Sequence, residues 1–459
     1  ARNRRNRRAV GLGYALFWVC LAVLFTGVLL IRLDGLFELK NRTVRATIYW
    51  MHVLSPLIAV WLYWLHRLAG RRIKWRIGIA FGVVTALTVF GMVVLQTQDP
   101  RDWFAEAPAG GEKYFEPSLA RTRNGKLIPA KSLMMDEYCK KCHSDAHRDW
   151  LQSQHHLSSF NNPAYLATIL ETRQVLLRRD GNVKAGRWCA GCHDPVPFFG
   201  GMFDDPNFDV VHDKTGQVGI TCSSCHAITH VNSTRGNGDY VIEEPLHYPF
   251  AYSKNPLLQF INNTLVKAKP SFHKQQFLKP FHKTAEFCSA CHKVHLPKEV
   301  THYKEFLRGQ NHYDNFLLSG VSGAGARSFY YPPKAEENCN GCHMPLKRST
   351  DFGAQRFAGS DEPAIHDHLF LGANTGVTWF HEMDEAIESH QKFLQDCMRV
   401  DLFGIREGGT IEGKVLGPLR PEVPTLTPGK PYLLEAVIRT LKLGHLFTQG
   451  TADSNEVWL

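Results

Sequence analysis

Acidic residues are almost absent from the first 97 residues, which hold 14 Lys and Arg but only 2 Asp and Glu. The rest of the 459-residue chain carries 39 basic and 41 acidic residues, so the net charge of +10 belongs to the N-terminal segment. A nucleic-acid surface needs its basic residues on the folded domain, and a nucleic-acid partner is therefore not indicated.

Charged residues are also missing from three apolar stretches, each long enough to cross a bilayer: Ala9–Ile31, Ala46–Leu65 and Ile77–Leu95. Residues 1–8 form a basic tail, and residues 67–76 form a second basic segment. The positive-inside rule puts both in the cytoplasm, so three transmembrane helices over residues 9–95 leave the rest outside. We therefore expect a multi-pass protein of a bacterial cytoplasmic membrane, with its C-terminal part on the periplasmic or outer side. No small-x-small cleavage site follows the first stretch, which predicts an uncleaved anchor in membrane lipid.

Few cysteines lie outside a repeated motif, because ten of the 12 Cys belong to five copies of Cys-x-x-Cys-His. The five motifs are Cys139, Cys142 and His143; Cys189, Cys192 and His193; Cys222, Cys225 and His226; Cys288, Cys291 and His292; Cys339, Cys342 and His343. Only Cys20 and Cys397 remain, and we expect both to pack as small hydrophobic side chains.

This motif is the attachment signature of a c-type haem, in which both thiols bond to the porphyrin and the His ligates iron. Zinc sites would not place a His after every second Cys, and disulfides need no fixed spacing. The sequence therefore predicts five covalent c-type haems, with the ten motif Cys as attachment residues and the five motif His as proximal ligands.

The histidine surplus predicts the second iron ligand of most haems. Sixteen His besides the proximal ligands lie after residue 97, far more than five distal positions need. Low-potential multihaem proteins use two His per iron. The candidate distal ligands are His155, His282, His212, His302, His312, His366 and His368. The alternative for each is a surface His or one that binds a haem propionate.

Two histidines in the second apolar stretch, His52 and His66, raise a separate question. Fourteen residues of helix put them on one face, about 21 Å apart along the axis. This resembles the spacing in dihaem cytochrome b helices and predicts b-type haem in the membrane. The alternative is that His66 caps the helix and His52 hydrogen-bonds a neighbouring helix. The other two stretches contain no His, so a second ligand would come from another chain.

The predicted fold is mainly α, with little regular structure in the haem domain. Residues 96–131, rich in Pro, Gly and charge, are predicted to be a linker. Residues 132–375 form the pentahaem domain, whose unequal motif spacing shows no exact repeat. Residues 376–400 predict an amphipathic helix, and residues 401–459 begin a small, partial β domain.

The segment CKKCHSDAHRDWLQSQHHLSSFNNPAY resembles the multihaem cytochrome family that includes the tetrahaem cytochrome of ammonia oxidisers. RWCAGCHDP, GITCSSCHAI, FCSACHKVH, RGQNHYD and GHLFTQGTADSNEVW are also similar, so the resemblance covers about residues 130–459. In that family a Trp and then Ser-x-His follow the first motif. Trp150, Ser153 and His155 match, which implies that His155 is a distal ligand. The three-span anchor departs from the soluble family member.

These features predict an electron-transfer protein that takes electrons from the quinol pool and passes them to another cytochrome or a terminal reductase. We expect it in a multi-subunit complex with other cytochromes or quinol-oxidising subunits, or as a homodimer. The alternative is an enzyme that reduces or oxidises a small nitrogen or sulfur compound at a haem without a distal His. No motif carries Lys in place of its His, and no catalytic residue is assigned.

Overall fold

The computed structural model describes residues 7–31, 41–69, 75–97, 108, 111–330, 333–358 and 361–447. The helices are α1 (Arg7–Leu30), α2 (Arg42–Ala69), α3 (Trp75–Gln96), α4 (Ala130–Leu133), α5 (Asp136–Lys140), α6 (Ser144–Leu151), α7 (Pro163–Asp180), α8 (Arg187–His193), α9 (Pro195–Gly200), α10 (Cys222–His226), α11 (Pro256–Ala268), α12 (Pro270–Phe277), α13 (Ala285–His292), α14 (Lys298–Thr301), α15 (His312–Leu318), α16 (Asn340–His343), α17 (Thr375–Phe380) and α18 (Asp384–Leu394). The strands are β1 (Arg121–Thr122), β2 (Ile228–Val231), β3 (Tyr240–Ile242), β4 (Lys293–Leu296), β5 (Leu307–Asn311), β6 (Leu346–Arg348), β7 (Ala364–His366), β8 (Met398–Glu407), β9 (Val415–Leu416) and β10 (Tyr432–Thr440). The prediction of a mainly helical chain is confirmed.

The chain divides into two compact units. The first is Ala1–Trp103 with Leu246–Leu278, and the second is Phe104–Pro245 with Lys279–Leu459. The strands of the second unit form small separate sheets with the orders β1-β3-β2, β10-β8-β9, β4-β5 and β6-β7.

Helices α1 and α2 of the first unit pack against each other and run antiparallel. His52 near the start of α2 contacts Thr26 near the end of α1, and His66 near the end of α2 contacts Ala9. Most large apolar side chains of both helices are exposed to the surroundings, as expected for lipid-facing helices.

The structure corrects the number of predicted spans. Two described helices, Arg7–Leu30 and Thr43–Ala69, are long and apolar enough to cross a membrane. The apolar part of α3 that can be described, Ile79–Val94, is shorter. A span needs about 20 apolar residues, so the described chain offers two candidate spans and not three.

Aromatic side chains dominate the core of the second unit. Phe115, Phe198 and Phe199 are almost fully buried and contact one another with ring centroids 4.8–5.6 Å apart. Phe115 and Ile128, both in this core, belong to the segment that the sequence analysis treats as a linker. The described part of that segment, from residue 111, therefore belongs to the folded unit, because most of its apolar residues pack in or against this core.

The C-terminal part of the second unit contains the helices and strands expected there, with one difference. The single amphipathic helix predicted over residues 376–400 is two helices, α17 and α18, because Glu382 between them adopts a left-handed φ of 56°. Strands β8 and β10 pair antiparallel over their length, and the short β9 pairs with β8.

Candidate haem sites

Each of the five motifs is placed on or beside a short helix. Helices α8, α10, α13 and α16 end at the motif histidine, whereas Cys139 lies in α5 and His143 caps α6. Thr221 and Thr284 accept hydrogen bonds from the first-turn amides of α10 and α13. Residues three apart share a helical face, so the two thiols of a motif point to one side.

Thiols of different motifs lie against each other, and all 12 Cys are free. The paired thiols are Cys222 with Cys139, Cys291 with Cys192, and Cys288 with Cys339. Burial and the nearby Cys291 raise the pKa of the Cys225 thiol to about 12. The first motif therefore contacts the third, the third lies near the fourth, and the fourth also contacts the second and the fifth.

Two proximal histidines already have the hydrogen bond that an iron ligand needs. His193 Nδ1 donates to the carbonyl of Ser158 at 2.8 Å, and His343 Nδ1 donates to that of Leu371 at 2.5 Å. A carbonyl oxygen can only accept, so each ring carries its proton on Nδ1 and presents a bare Nε2 to a metal. Within the described residues no group of three or more His, Cys, Asp or Glu could hold a metal ion by itself. The imidazoles of His193 and His343, each with two thiols in its own motif, fit the proximal ligand of a covalent haem.

Other histidine rings gather around three of the proximal ligands. The distances between ring centroids are 5.4 Å for His226 and His282, 6.4 Å for His226 and His368, 6.1 Å for His292 and His155, 5.7 Å for His292 and His312, and 6.1 Å for His343 and His445. Two imidazoles on one metal ion, each bound at about 2 Å, place their centroids about 6 Å apart.

Burial also keeps these rings neutral, as a ligand must be. Desolvation lowers the pKa of His155 and of His282 to about 4, and that of His292 to about 3. His282 Nε2 is buried and has no hydrogen-bond partner among the described residues. A buried nitrogen without a partner needs an explanation, and a distal position on the iron held by the neighbouring His226 would supply one.

The backbone holds His155 in position. Its carbonyl accepts from the Ile220 amide at 2.8 Å, and the Ile220 carbonyl in turn accepts from the Trp150 indole at 2.8 Å. Gly219, with a φ of 57°, lies so close that a Cβ there would be 2.5 Å from the His155 carbonyl oxygen. Trp150, which follows the first motif, and Gly219 and Ile220, which precede the third, thus hold His155 in place together.

Three predicted ligands do not join a proximal histidine through their described contacts. His212 is exposed and pairs with Asp209, and His302 is exposed and lies 3.7 Å from Asp180. His366 donates from Nδ1 to the Met344 carbonyl, and its ring packs against Phe357. The structure brings His155, His282, His312 and His368 to the motifs, but not His212 or His302.

Two histidines near the motifs or in the core, His445 and His390, were not predicted from the sequence. The His445 ring is parallel to the His343 ring, and its centroid lies 5.1 Å from that of the His312 ring. Its signal was the GHLFTQG segment already noted as similar to multihaem cytochromes. His390 in α18 is fully buried, accepts from the Gly372 amide at Nδ1, and has no partner for Nε2 among the described residues. No local spacing marked His390, because only the folded chain buries it.

The second motif has different neighbours. Tyr165 stacks on the His193 ring with centroids 4.4 Å apart and planes 8° apart. The Tyr165 hydroxyl donates to Asp194 at 2.5 Å, and Ser159 donates to the same carboxyl group. Burial raises the pKa of Asp194 to about 7. Within the described residues, the His193 ring contacts no second histidine.

In the first unit, His52 and His66 both face α1. His52 Nδ1 lies 3.0 Å from the Thr26 hydroxyl, and His66 Nδ1 lies 2.9 Å from the Ala9 carbonyl. Both rings sit over glycines of α1, where a Cβ on Gly27 or Gly13 would be 3.1 or 3.2 Å from the imidazole Cε1. The His52 contact is the interhelical hydrogen bond that the alternative to b-type haem predicts, and His66 makes a second interhelical contact in place of the predicted cap. Both contacts leave Nε2 available for another partner.

Comparison with known proteins supports a multihaem c-type cytochrome. The family model described as cytochrome c554 and c-prime matches residues 138–227, which hold the first three motifs but less than half of the chain. A penta-heme cytochrome c552 from Thermochromatium tepidum is similar at 16% identity, over 68% of this chain and 87% of that chain, with a TM-score of 0.33. A likeness this weak carries no argument. No curated protein matches the chain.

Proposed function

We propose that the chain is a membrane-anchored pentahaem cytochrome c that carries electrons from the quinol pool to an acceptor on the periplasmic or outer side of the cytoplasmic membrane. The observation that carries this proposal is the direct contact of thiols from different attachment motifs. Bound haem supplies one-electron redox chemistry, and the protein supplies ligation, spacing and electrostatics. Motifs in contact would keep neighbouring cofactors close.

The geometry favours particular ligands for three of the irons. His155 and His312 are the candidates beside His292, and His282 and His368 are those beside His226. His445 is the candidate beside His343. The prediction of b-type haem at His52 and His66 stays a prediction, as does the prediction that another cytochrome, a quinol-oxidising subunit or a second copy completes the complex.

The side of the membrane on which the second unit lies is inferred from covalent haem attachment and not from the number of spans. Two candidate spans no longer support the outer side, but covalent haem attachment takes place outside the cytoplasm. We therefore place the second unit on the periplasmic or outer side. Protease added to spheroplasts should digest the haem-bearing part, and its protection would contradict this placement.

Counting haems tests the proposal. Pyridine haemochrome quantitation and intact mass should give five covalent haems per chain. Replacing both thiols of one motif, Cys339→Ala with Cys342→Ala, should reduce the count to four. The matched control Cys397→Ala, which removes a buried cysteine outside the motifs, should leave five. Fewer than five haems in the unaltered chain would contradict the proposal.

The environment of His193 favours one alternative, an enzyme acting on a small nitrogen or sulfur compound at a haem with an open distal site. Its ring contacts Tyr165 rather than a second histidine among the described residues. Electron paramagnetic resonance distinguishes the two functions. A carrier should show low-spin iron throughout, whereas a high-spin signal that shifts on adding nitrite or hydroxylamine would favour the enzyme.

A further inference from the structure

A cavity of about 530 Å³, largely open to its surroundings, lies in the first unit beside α1 and α2. It is lined by Gly27, Leu30, Ile31, Arg45, Ala46, Tyr49, His52 and Ala268. Its size is within the range of small-molecule sites, and its walls are apolar apart from a few polar groups. An ionisable side chain at the depth of a membrane span marks a functional site by default.

The hydrogen bonds of Thr26 fix the state of His52. The Thr26 hydroxyl lies 2.7 Å from the Ala22 carbonyl, the usual acceptor for a Thr within a helix, and 3.0 Å from His52 Nδ1. When the hydroxyl donates to Ala22, its oxygen accepts from Nδ1, and the imidazole then has a free lone pair on Nε2. No hydrogen bond engages Nε2 among the residues that the structure describes.

The walls around His52 are shaped by α1. Gly27 lets the imidazole lie directly on the helix backbone. Arg45 Nη2 donates to the carbonyl of Leu30, the last residue of α1, at 3.1 Å, which suits the negative end of a helix dipole. His66, 14 residues further, borders the basic segment, so His52 and the cavity lie in the opposite leaflet.

We propose that this cavity is a quinol-oxidising site in which His52 Nε2 accepts a proton from a quinol hydroxyl. The proposal rests on the proposed function, which supplies the oxidant. Oxidation of one quinol breaks two O–H bonds, forms two carbonyl groups and releases two protons and two electrons. The first proton forms the Nε2–H bond of His52, the second goes to water, and the two electrons would pass to ferric c-type haem held by the Cys-x-x-Cys-His motifs.

A b-type haem is the competing use of His52, and the structure favours it less. Haem at His52 would need a second axial ligand on the same iron, and His66, 14 residues further along α2, lies about 21 Å away. Both rings are wedged between α1 and α2, and their Nδ1 atoms contact α1 directly. Neither α1 nor α3 contains a histidine to complete such a site.

The test measures reduction of the purified full-length holoprotein in lipid nanodiscs by decylubiquinol, followed in the haem absorption bands. His52→Ala should slow reduction by about 100-fold, as loss of a general base does, while reduction by dithionite and the covalent haem count stay unchanged. Ser55→Ala, one helical turn away, is the matched control. Gly27→Leu, which fills the cavity, should also slow quinol-dependent reduction, whereas Gly11→Leu, where nothing lies within 4 Å, should not.

The outcomes separate this proposal from the proposed function. If quinol reduces His52→Ala and Gly27→Leu as fast as the unaltered protein, the site is wrong while the quinol donor stands. If quinol fails to reduce the unaltered protein but dithionite succeeds, both are wrong. Acid-extractable haem that is lost in His52→Ala and in His66→Ala alike would overturn the quinol site in favour of b-type haem.

Discussion

Asn237 connects the loop before β3 to the strand that follows the fourth motif, and its replacement should destabilise the second unit. The side chain is buried, with Oδ1 accepting from the His295 amide at 2.8 Å. Its Nδ2 donates to the His295 carbonyl at 2.8 Å and lies 3.1 Å from His295 Nε2. The residue also adopts a left-handed φ of 56°.

The magnitude follows from these contacts. Asn237→Ala removes three buried hydrogen bonds at about 1 kcal/mol each and adds about 1 kcal/mol for a left-handed Ala, so the free energy of unfolding should fall by about 4 kcal/mol. Asn237→Gly loses the same bonds without the backbone cost and should be about 1 kcal/mol more stable than the Ala variant. Asn232→Ala in the same loop removes one partly buried hydrogen bond to Asp239 and should cost about 1 kcal/mol.

The assay is guanidinium unfolding of the holoprotein, followed by circular dichroism in the Soret region. Midpoint shifts at constant slope convert to differences in the free energy of unfolding. A loss below about 1 kcal/mol for Asn237→Ala would refute the assigned hydrogen bonds. A Gly variant less stable than the Ala variant would refute the left-handed conformation.

Three further predictions use similar measurements. Arg173→Met should lower the free energy of unfolding by about 2–3 kcal/mol, because its buried guanidinium donates to two backbone carbonyls at 2.8 and 2.6 Å; the exposed Arg178→Met should change it little. Gly219→Ala should destabilise the protein more than Gly181→Ala, since both glycines have positive φ but only the first would place a Cβ within 2.1 Å of a carbonyl oxygen; equal losses would contradict the close approach. His445→Ala should change one low-spin paramagnetic signal while the exposed His230→Ala leaves the spectrum unaltered, and an unchanged spectrum in both would remove His445 as a ligand.

Local patterns gave the most reliable predictions. Cys-x-x-Cys-His fixes two thiols and an imidazole within one helical turn, so its chemistry can be stated before any folding. Long uncharged runs predict helices in the same way, and α1 and α2 follow. The third run is also helical, in α3, but its described apolar part, Ile79–Val94, is shorter than a span.

Predictions that depend on distant contacts were weaker. The segment before residue 131 has no periodicity, yet Phe115 and Ile128 fill the core, because burial there depends on residues far along the chain. The identity of distal ligands likewise depends on contacts between residues that are far apart in the chain. No local sequence pattern separates His302 from His445, but His302 pairs with the Asp180 carboxylate and His445 lies beside His343.

The order in which the motifs meet has a consequence for how the chain matures. The first motif contacts the third, and the second contacts the fourth, so neither of the first two motifs meets its partner in the next one along the chain. As the chain emerges N-terminus first, two motifs are exposed before either can close a loop, and longer loops close at greater entropic cost. A chain arrested between the third and fourth motifs would hold the first and third together while the second stayed open to solvent.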